Sequence, residues 1–587
     1  MKRLVLTILT LTLLFSLAGY ITAEGLEKKT VSPEIINEIG QYGGKYTLAL
    51  TSAPQSFNYY GAIDWNIFVI MGNVLDSLTD ENPVTKEVEP SLAKSWQVSK
   101  DGTVVTLNLR KGVKWSDGHP FTADDVIFTF NHLTLNPHAE ANEVNRYQIA
   151  GEMVRFEKKD DYTVEAILPA PYGPFIKILA QAPITPKHKL EKYLDPDNPG
   201  AINQAWSTGT DLKDIVGTGP FMLKEYITDQ KVVLERNPHS WLYDSAGNQL
   251  PYLDQLVYLI VKNNEVALAK LQAGEIDQLQ IKGKDFTTLK KAELAGASFR
   301  VLTGSPVNPT PSPTHLSFNF DVENEALREA FRNLKFRQAM DHLIDRDRII
   351  EEVYNTLAIK SGMPVVPTNK AFYNPEIEKL RREFSLEKAS QLLDQLGYLD
   401  TDNDGIRELK DGSDFEFNLM TAVNLQDRVD IASLLKDNLE AVGIKVNLNL
   451  IKSGLVFDKA LAGEFEAMIM AFGNQSDPQF RKAIWQPGRA LYYWHLSTMS
   501  EDKKPILQNM YPWELEVFNK FEQGQVTMDP VKRKAYYDDW QRIYAEKLPV
   551  IFITKGMDLY VVQNNIGNYF LNDDNIIVRV TDTIFKK

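Results

Sequence analysis

The absence of cysteine is the strongest single constraint on what this chain of 587 residues can fold into. Without a thiol the protein can form no disulfide, hold no zinc ion or iron–sulfur cluster through sulfur, and use no thiolate nucleophile. It also lacks the residue to which the lipid of a bacterial lipoprotein is attached. A hydrophobic core must therefore hold the fold together, and a chain of this length can bury a large one.

The composition is that of a globular protein with an acidic balance. Hydrophobic residues make up 43% of the chain and charged residues 24%, and the net charge is −14. These values exclude collagen-like and disordered chains. A dedicated nucleic-acid-binding protein would need a basic face for the phosphates, so no nucleic-acid partner is expected.

The N-terminus has the three parts of a secretory signal. Residues 1–3 are basic at positions 2 and 3, residues 4–17 are almost entirely apolar, and residues 18–23 end in a small-residue cleavage site. The apolar run is shorter than the roughly 20 residues that a membrane helix needs. Residues 1–23 are therefore predicted to be a signal peptide, and the mature protein is expected to be periplasmic without a lipid anchor. An uncleaved signal that serves as an anchor is the alternative.

Helix and strand signals alternate along the chain, which predicts mixed α/β lobes. Thr122 precedes two carboxylates and a run of apolar residues at helical spacing, so it is expected to cap a helix. The Pro-rich stretch 306–313 cannot form a regular helix and is a candidate crossing between lobes. Other patterns predict a helix from Ser385 to Gly397, a helix over 429–439, strands over 444–450 and 467–472, a helix from Asp529 to Pro549, and a strand over 550–553.

No sequence pattern for catalysis or for a bound cofactor stands out. The eight histidines form no HExxH pair, and there is neither a GxxxxGKS/T loop nor a GxSxG elbow. Gly217 and Gly219 precede Pro220 and indicate a turn rather than a dinucleotide-binding loop. We therefore predict no catalytic residue, no cofactor and no metal centre.

One acidic segment leaves a metal-binding alternative open. Residues 400–405, with the sequence DTDNDG, resemble the start of a calcium-binding loop. The twelfth position of that loop is Asp411 instead of the usual glutamate, and Arg407 lies within it. A polar turn between a helix and a strand is the favoured interpretation, and calcium binding between Asp400 and Asp411 is the alternative.

Aromatic residues are concentrated in one region after the predicted strand 467–472. Trp485, Tyr492, Tyr493 and Trp494 follow that strand closely. Flat rings on a loop after a strand can line a cleft for sugars or peptides. An aromatic core cluster beneath a long loop explains the same pattern equally well.

Several segments resemble one family, the family 5 extracellular solute-binding proteins of ABC importers. Residues 114–126, with the sequence KWSDGHPFTADDV, are similar to the family signature. The other matching segments occur in the family's order over nearly the whole mature chain and are PSLA at 90–93, VGTGPF at 216–221, LERNP at 234–238, GEID at 274–277, FRQA at 336–339 and the helix and aspartate turn at 392–408.

The resemblance implies an α/β fold, a two-lobed periplasmic-binding-protein clamp of type II, cluster C, with an extra third domain. Lobe I is expected to combine residues 24–62, 212–304 and 550–587. The extra domain II is expected over 63–211, and lobe III over 305–549.

The resemblance also implies a function in transport. The protein would capture a ligand between two closing lobes and deliver it, as a monomer, to a permease in the membrane, without making or breaking a bond. The commonest ligand in the family is an oligopeptide, and an oligosaccharide is the alternative. A secreted hydrolase of the same polymers is the alternative from another class, and a periplasmic chaperone or signalling partner is a third.

The expected ligand contacts combine the resemblance with the aromatic pattern. Peptide-binding members carry an aspartate that pairs with the peptide's amino terminus, and the matching residue here is the neutral Asn474. Asp477 is a possible substitute, and a neutral Asn474 suits a polyhydroxylated ligand as well. The predicted ligand-binding residues are Phe57 and Asn58 from one lobe, Phe472, Gly473 and Asn474 from the other, and Trp485 and Trp494 as apolar walls.

Overall fold

The computed structural model describes residues 25–60, 65–136, 138, 144–306, 312–473 and 476–587. The predicted signal peptide, the predicted ligand contact Asn474 and most of the Pro-rich stretch lie outside these residues. Within the described part, helices and strands are mixed along the chain, so the α/β prediction is confirmed. None of the helices described is both long and apolar enough to span a membrane.

A five-stranded sheet forms the centre of lobe III. In spatial order its strands are Lys445–Ile451, Glu416–Ala422, Ala467–Met470, His315–Phe318 and Val550–Phe552. The first three strands run parallel, and the fourth runs antiparallel to both of its neighbours. The carboxyl ends of the parallel strands and the amino end of the fourth strand therefore meet along one edge. We call this the carboxyl edge of lobe III, formed by residues 312–314, 423–425, 452–455, 471–473 and 553–556.

The helices around this sheet begin and end where the sequence predicts. The Ser385 hydroxyl accepts a hydrogen bond from the Lys388 amide at 3.1 Å, and Gly397 ends that helix with φ = +83°. The Asp529 carboxylate caps the last long helix in the same way. The α-helices of lobe III are Glu325–Arg332, Leu334–His342, Arg346–Glu352, Leu386–Leu396, Gln426–Glu440, Ser453–Ala462, Lys482–Trp485, Pro512–Val526 and Pro530–Lys547.

Lobe I contains two sheets. Two strands of the larger sheet, Lys45–Leu50 and Gln255–Ile260, run parallel, so their carboxyl ends share one edge. Two helices, Asn264–Gln272 and Gly283–Leu294, start directly beyond that edge. The larger sheet has the order Phe221–Ile227, Lys231–Arg236, Gln255–Ile260 and Lys45–Leu50, and the smaller has the order Gln278–Gln280, Asp558–Gln563 and Phe299–Gly304.

The extra domain is built on an antiparallel four-stranded sheet. The predicted cap at Thr122 is confirmed, because its hydroxyl accepts from the Asp124 amide at 3.3 Å and the Asp125 carboxylate accepts from the Thr122 amide at 3.0 Å. Its buried apolar residues form one continuous cluster with those of lobe I. The strands of this sheet occur in the order Ala93–Val98, Val104–Leu109, Thr163–Ile167 and Arg155–Asp160. The extra domain also contains a hairpin formed by Thr79–Glu81 and Val88–Pro90. Its α-helices are Trp65–Met71, Ala123–Phe128, Phe175–Ile178 and Lys187–Leu190.

Short two-stranded pairs complete the fold around these sheets. They are Lys29–Thr30 with Leu242–Tyr243, Gln148–Ile149 with Glu152–Met153, Ala358–Lys360 with Thr554–Gly556, Ile566–Gly567 with Phe585–Lys586, and Phe570–Leu571 with Ile577–Val578.

The chain passes between lobe I and lobe III twice, and the two passages lie side by side. The Thr314 amide donates to the Thr554 carbonyl at 2.9 Å, and the Ile553 amide donates to the Thr314 carbonyl at 2.8 Å. The strand Val550–Phe552, which the resemblance assigned to lobe I, pairs within the lobe III sheet. The second passage is therefore at 553–557, a few residues later than the expected boundary at 550.

Gly217 lies where the turn predicted at 217–220 packs against the backbone of the extra domain. The Gly219 amide donates to the Val74 carbonyl at 2.9 Å, and the Gly217 carbonyl accepts from the Ser116 amide at 2.8 Å. A Cβ atom on Gly217 would overlap the Val74 carbonyl oxygen. The turn can approach this closely only because position 217 has no side chain.

We therefore expect Gly217→Ala to lower the free energy of unfolding by about 3 kcal/mol, because the backbone of two elements would have to move apart. Urea unfolding at neutral pH measures this change. Gly454→Ala is the matched control, since nothing lies within 4 Å of its Cβ position at the start of a helix, and it should leave stability unchanged or raise it slightly. Equal effects of the two substitutions would contradict the close approach at Gly217.

Candidate ligand cleft between the two lobes

The carboxyl edges of the two lobes face each other. The first passage of the chain leaves lobe I and enters lobe III at these edges, and the second passage returns from lobe III to lobe I beside it. The helix that starts at Gly283 in lobe I approaches lobe III, since a Cβ there would lie 3.7 Å from the Tyr354 carbonyl oxygen. The Met557 amide donates to the Leu357 carbonyl at 2.9 Å close by. The carboxyl ends of parallel strands are the usual ligand sites of open α/β sheets, so this cleft is the candidate site.

Four large apolar side chains are exposed along the two facing edges. Trp65 and Val266, on lobe I and its junction with the extra domain, are 75% and 47% exposed, and Val423 and Leu455 on lobe III are 48% and 51% exposed. Other large apolar residues, such as Leu294 and Val531, are exposed elsewhere, so it is the position of these four that singles them out. At the mouth of a cleft they can pack against a ligand or against each other when the lobes approach.

Sequence reasoning missed these four residues. Val423 directly follows a strand, and Val266 and Leu455 lie in the first turn of a helix that follows a strand. Trp65 is held at the edge by its neighbour, because the Asn66 side chain donates to the Ser52 hydroxyl at 2.7 Å. Ser52 follows the first strand of lobe I. A search for apolar residues in the first helical turn after a predicted strand would have found Val266 and Leu455.

Phe57 and Asn58 lie in the loop predicted for lobe I, but neither side chain points into open space. The Phe57 ring has no exposed surface and packs edge-to-face on Tyr226, with 5.4 Å between the ring centroids. The Asn58 side chain donates to the Ile202 carbonyl at 3.2 Å and accepts from the Tyr60 amide at 3.1 Å. Both residues fix the course of this loop.

Phe472 and Gly473 follow the strand Ala467–Met470 and stand at the carboxyl edge of lobe III. The Phe472 amide donates to the Ser312 hydroxyl at 3.1 Å, and its carbonyl accepts from the Ser312 amide at 2.6 Å. These bonds join the loop to the first passage between the lobes. The Phe472 ring is buried against His315 and Tyr493, whereas Gly473 is partly exposed. Only the backbone of this segment therefore faces the cleft.

His315 adds no charge to this part of the cleft wall. Its Nε2 lies 3.1 Å from the Tyr493 hydroxyl and its Nδ1 lies 3.3 Å from the Pro313 carbonyl. Burial lowers the pKa of His315 to about 3, although the hydrogen bond with the Pro313 carbonyl acts in the opposite direction. The imidazole is therefore neutral at physiological pH.

Trp485 and Trp494 belong to the core of lobe III instead of the cleft surface. Both are completely buried, with their ring centroids 6.3 Å apart. Trp485 also packs on Trp540 and Tyr544. Of the two explanations for the aromatic region, the structure shows the core cluster.

Asp477 forms a buried ion pair with Arg533. Its two carboxylate oxygens accept hydrogen bonds from the Arg533 guanidinium at 2.6 and 2.7 Å, and it is only 1% exposed. Burial acts to raise the pKa of Asp477, but the Arg533 charge outweighs this effect and holds the pKa below its usual value. The suggestion that Asp477 replaces the missing aspartate at 474 is therefore corrected, because its carboxylate already has a cationic partner.

The extra domain reaches lobe III beside the same loop. The Ser476 hydroxyl donates to the Glu81 carboxylate at 2.6 Å, and the Lys177 ammonium lies 2.9 Å from the same carboxylate oxygen. Ser476 is buried, and the Lys177 side chain is 9% exposed. The cleft is therefore bordered by all three parts of the molecule.

The acidic segment at 400–408 lies at the opposite edge of the lobe III sheet. Carboxylate oxygens of Asp400, Asp402 and Glu408 all lie within 4.8 Å of one another. Glu408, rather than Asp411, completes the cluster, and the Arg407 guanidinium turns away to the Val442 and Tyr398 carbonyls. This cluster takes no part in the cleft.

The fold and the cleft define a class of protein, the two-lobed binding clamp. A family model described as bacterial extracellular solute-binding proteins, family 5 Middle, matches residues 87–490. The chain belongs to this family and is a solute-binding protein of ABC importers.

Relatives of the chain include binding proteins for different ligands. It is 26% identical over 579 residues to the oligopeptide-binding protein AppA of Bacillus subtilis (strain 168), with 97% of each chain covered. It is 30% identical over 572 residues to a periplasmic alpha-galactoside-binding protein of Rhizobium meliloti (strain 1021), covering 90% of this chain and 79% of the relative. A solved structure of an oligopeptide-binding protein OppA matches with a TM-score of 0.77 at 25% identity, covering 99% of this chain and 96% of that one.

We expect Asp477→Asn to lower the free energy of unfolding by about 3–5 kcal/mol at pH 7, because it leaves the buried Arg533 charge without a counter-ion. Since the folded-state pKa of Asp477 is depressed, the contribution of this carboxylate is present above its unfolded pKa. It should be lost as the pH falls below about 4 towards the folded pKa. Urea unfolding of both proteins across this range measures the difference.

Two further variants control this prediction. Glu464→Gln removes one partner of the exposed Lys459–Glu464 pair and should leave the free energy of unfolding almost unchanged, because solvent screens this pair. Combining Asp477→Asn with Arg533→Met should recover part of the lost stability, because no charge is then left buried. A loss below about 1 kcal/mol for Asp477→Asn alone would contradict the assignment.

Proposed function

We propose that this protein captures an oligopeptide between lobes I and III and delivers it to a permease in the membrane. The observation that carries the proposal is the pair of facing carboxyl edges, joined by two adjacent passages of the chain and bearing exposed apolar side chains. A ligand in contact with both edges favours the closed arrangement, because it binds that arrangement more tightly than the open one.

The proposed ligand contacts divide into two groups. Gly473 and Asn474 present backbone and amide groups to the ligand, and Trp65, Val423 and Leu455 offer apolar surface to its side chains. The remaining predicted residues act from behind the surface and hold the loops in place: Phe57, Asn58, Phe472, Trp485 and Trp494. No bond is made or broken, so the proposed role is binding and not catalysis.

An oligosaccharide is the second candidate ligand. Both carboxylate oxygens of Asp477 are already paired with Arg533. The residues described in that loop therefore offer no free carboxylate to accept a charge-assisted hydrogen bond from the amino terminus of a peptide. The exposed Trp65 ring offers a flat apolar face that suits a sugar ring. The relative named for alpha-galactoside binding supports this candidate.

The proposed setting is the periplasm. We further propose that residues 1–23 are removed and that the mature protein acts as a monomer. Its partners would be the small ligand and the permease subunits, which would recognise the closed lobes.

A thermal-shift screen tests the proposal. The wild-type protein is mixed with di- to hexapeptides and with cello-, manno- and xylo-oligosaccharides and α-galactosides. We expect a peptide to stabilise the fold by about 2.7 kcal/mol at a hundredfold excess over its Kd. A shift with sugars and none with peptides would transfer the proposal to the oligosaccharide.

The hydrolase alternative is tested on the same samples. Labelled peptides and oligosaccharides are incubated with the protein and separated by chromatography. The proposal requires that they remain intact, and release of product at a rate that scales with protein concentration would contradict it.

A further inference from the structure

A cavity of about 340 Å³ lies where the extra domain meets the last segment of lobe I. One wall is the turn of the hairpin in the extra domain, with Val84 and Lys86. The opposite walls are the start of the strand Asp558–Gln563 and the segment 576–580. The lining combines apolar residues with the Tyr560 hydroxyl and three charged side chains, which are Lys86, Asp558 and Arg579.

Arg579 is an exposed residue that lines this cavity, with Asp558 in the same lining, and it forms no ion pair within the described part of the chain. Its guanidinium lies over the Tyr560 ring, 4.4 Å from the centroid, and one nitrogen donates to the Tyr560 hydroxyl at 2.8 Å. A guanidinium has five N–H donors, and no carboxylate of the described chain forms an ion pair with this one. Stacking on the ring fixes the plane of the guanidinium while its remaining donors stay available.

Two lysine side chains lie in the same region as Arg579. Lys86 lies 3.9 Å from the Glu81 carboxylate, whose other oxygen already receives Lys177. Lys86, Lys177 and Arg579 therefore share the region with the carboxylates of Glu81 and Asp558.

The cavity adjoins the inner end of the ligand cleft. Glu81 accepts the hydrogen bond from Ser476, which directly follows the loop that contains Asn474. Asp558, on the opposite wall, directly follows the second passage between the lobes. A ligand held at the carboxyl edge of lobe III could therefore extend one end into this cavity.

We propose that Arg579, assisted by Lys86, binds a carboxylate of the transported ligand. This inference rests on the proposed transport function and adds the chemistry of one end of the ligand. A planar guanidinium with free donors matches a carboxylate in a two-point hydrogen bond. The carboxylate could be the C-terminus of a peptide or the acid group of a uronic acid sugar.

The test compares ligands with and without that carboxylate. A pool of synthetic oligopeptides is incubated with the wild-type protein, and the member that binds most tightly is identified by mass spectrometry of the protein-bound material. It is then made with a free C-terminus and with a C-terminal amide. Oligogalacturonates and neutral oligosaccharides form the sugar arm. Each Kd is measured by isothermal titration for the wild type, Arg579→Gln and Arg155→Gln, the last being an exposed arginine on the extra-domain sheet.

We expect the wild type to bind the free-acid form at least about tenfold more tightly than the amide. Arg579→Gln should remove this difference, whereas Arg155→Gln should keep it. The same pattern with oligogalacturonate over neutral sugar would assign the carboxylate to a sugar acid.

Equal affinity for acid and amide, or an unchanged preference in Arg579→Gln, would overturn the inference. Binding of neutral oligosaccharides alone would overturn it as well and would leave the transport function standing. Failure of every peptide and sugar to bind would count against both the inference and the proposed function.

Discussion

The pairing of the two passages between the lobes is the constraint on which the rest of the structure depends. Thr314 exchanges backbone hydrogen bonds with Ile553 and Thr554, so the chain enters and leaves lobe III at one place. Because the first passage leads into a strand antiparallel to its neighbours, this place lies at the carboxyl ends of the parallel strands. The position of the candidate cleft is therefore a consequence of the sheet topology.

The extra domain adds a second set of contacts to lobe III, and these contacts would change if the lobes moved. It shares a continuous core with lobe I, yet it also touches lobe III through Glu81 and Ser476. A further backbone bond joins the Gly173 amide to the Gln525 carbonyl at 2.8 Å. Opening the cleft would break these bonds, and each is worth only about 1–3 kcal/mol.

The sequence predicts local structure well because its signals are local. The caps at Thr122, Ser385 and Asp529 and the ending at Gly397 depend on residues within one helical turn. The motif order also indicates the family and hence the clamp. In contrast, the pairing of Asp477 with Arg533 joins residues 56 positions apart, and no sequence period reveals it.

The candidate site is harder to predict than the fold for the same reason. Aromatic residues attract attention as ligand contacts, but burial decides their role, and Trp485 and Trp494 lie in the core while Trp65 is exposed. The unpaired Arg579 is visible only when the distant hairpin at residues 82–87 is placed against it. Both properties depend on contacts between segments that are far apart in the chain.

Closure of the two lobes around a ligand is the central claim, and the absence of cysteine makes it directly measurable. Spin labels can be attached at Leu294→Cys in lobe I and Glu387→Cys in lobe III, both exposed, with no native thiol to compete. Pulsed electron double resonance then gives the distance distribution between the lobes. The account predicts that a saturating ligand, chosen by its thermal shift, narrows the distribution and moves its centre. An identical distribution with and without that ligand would contradict the clamp mechanism.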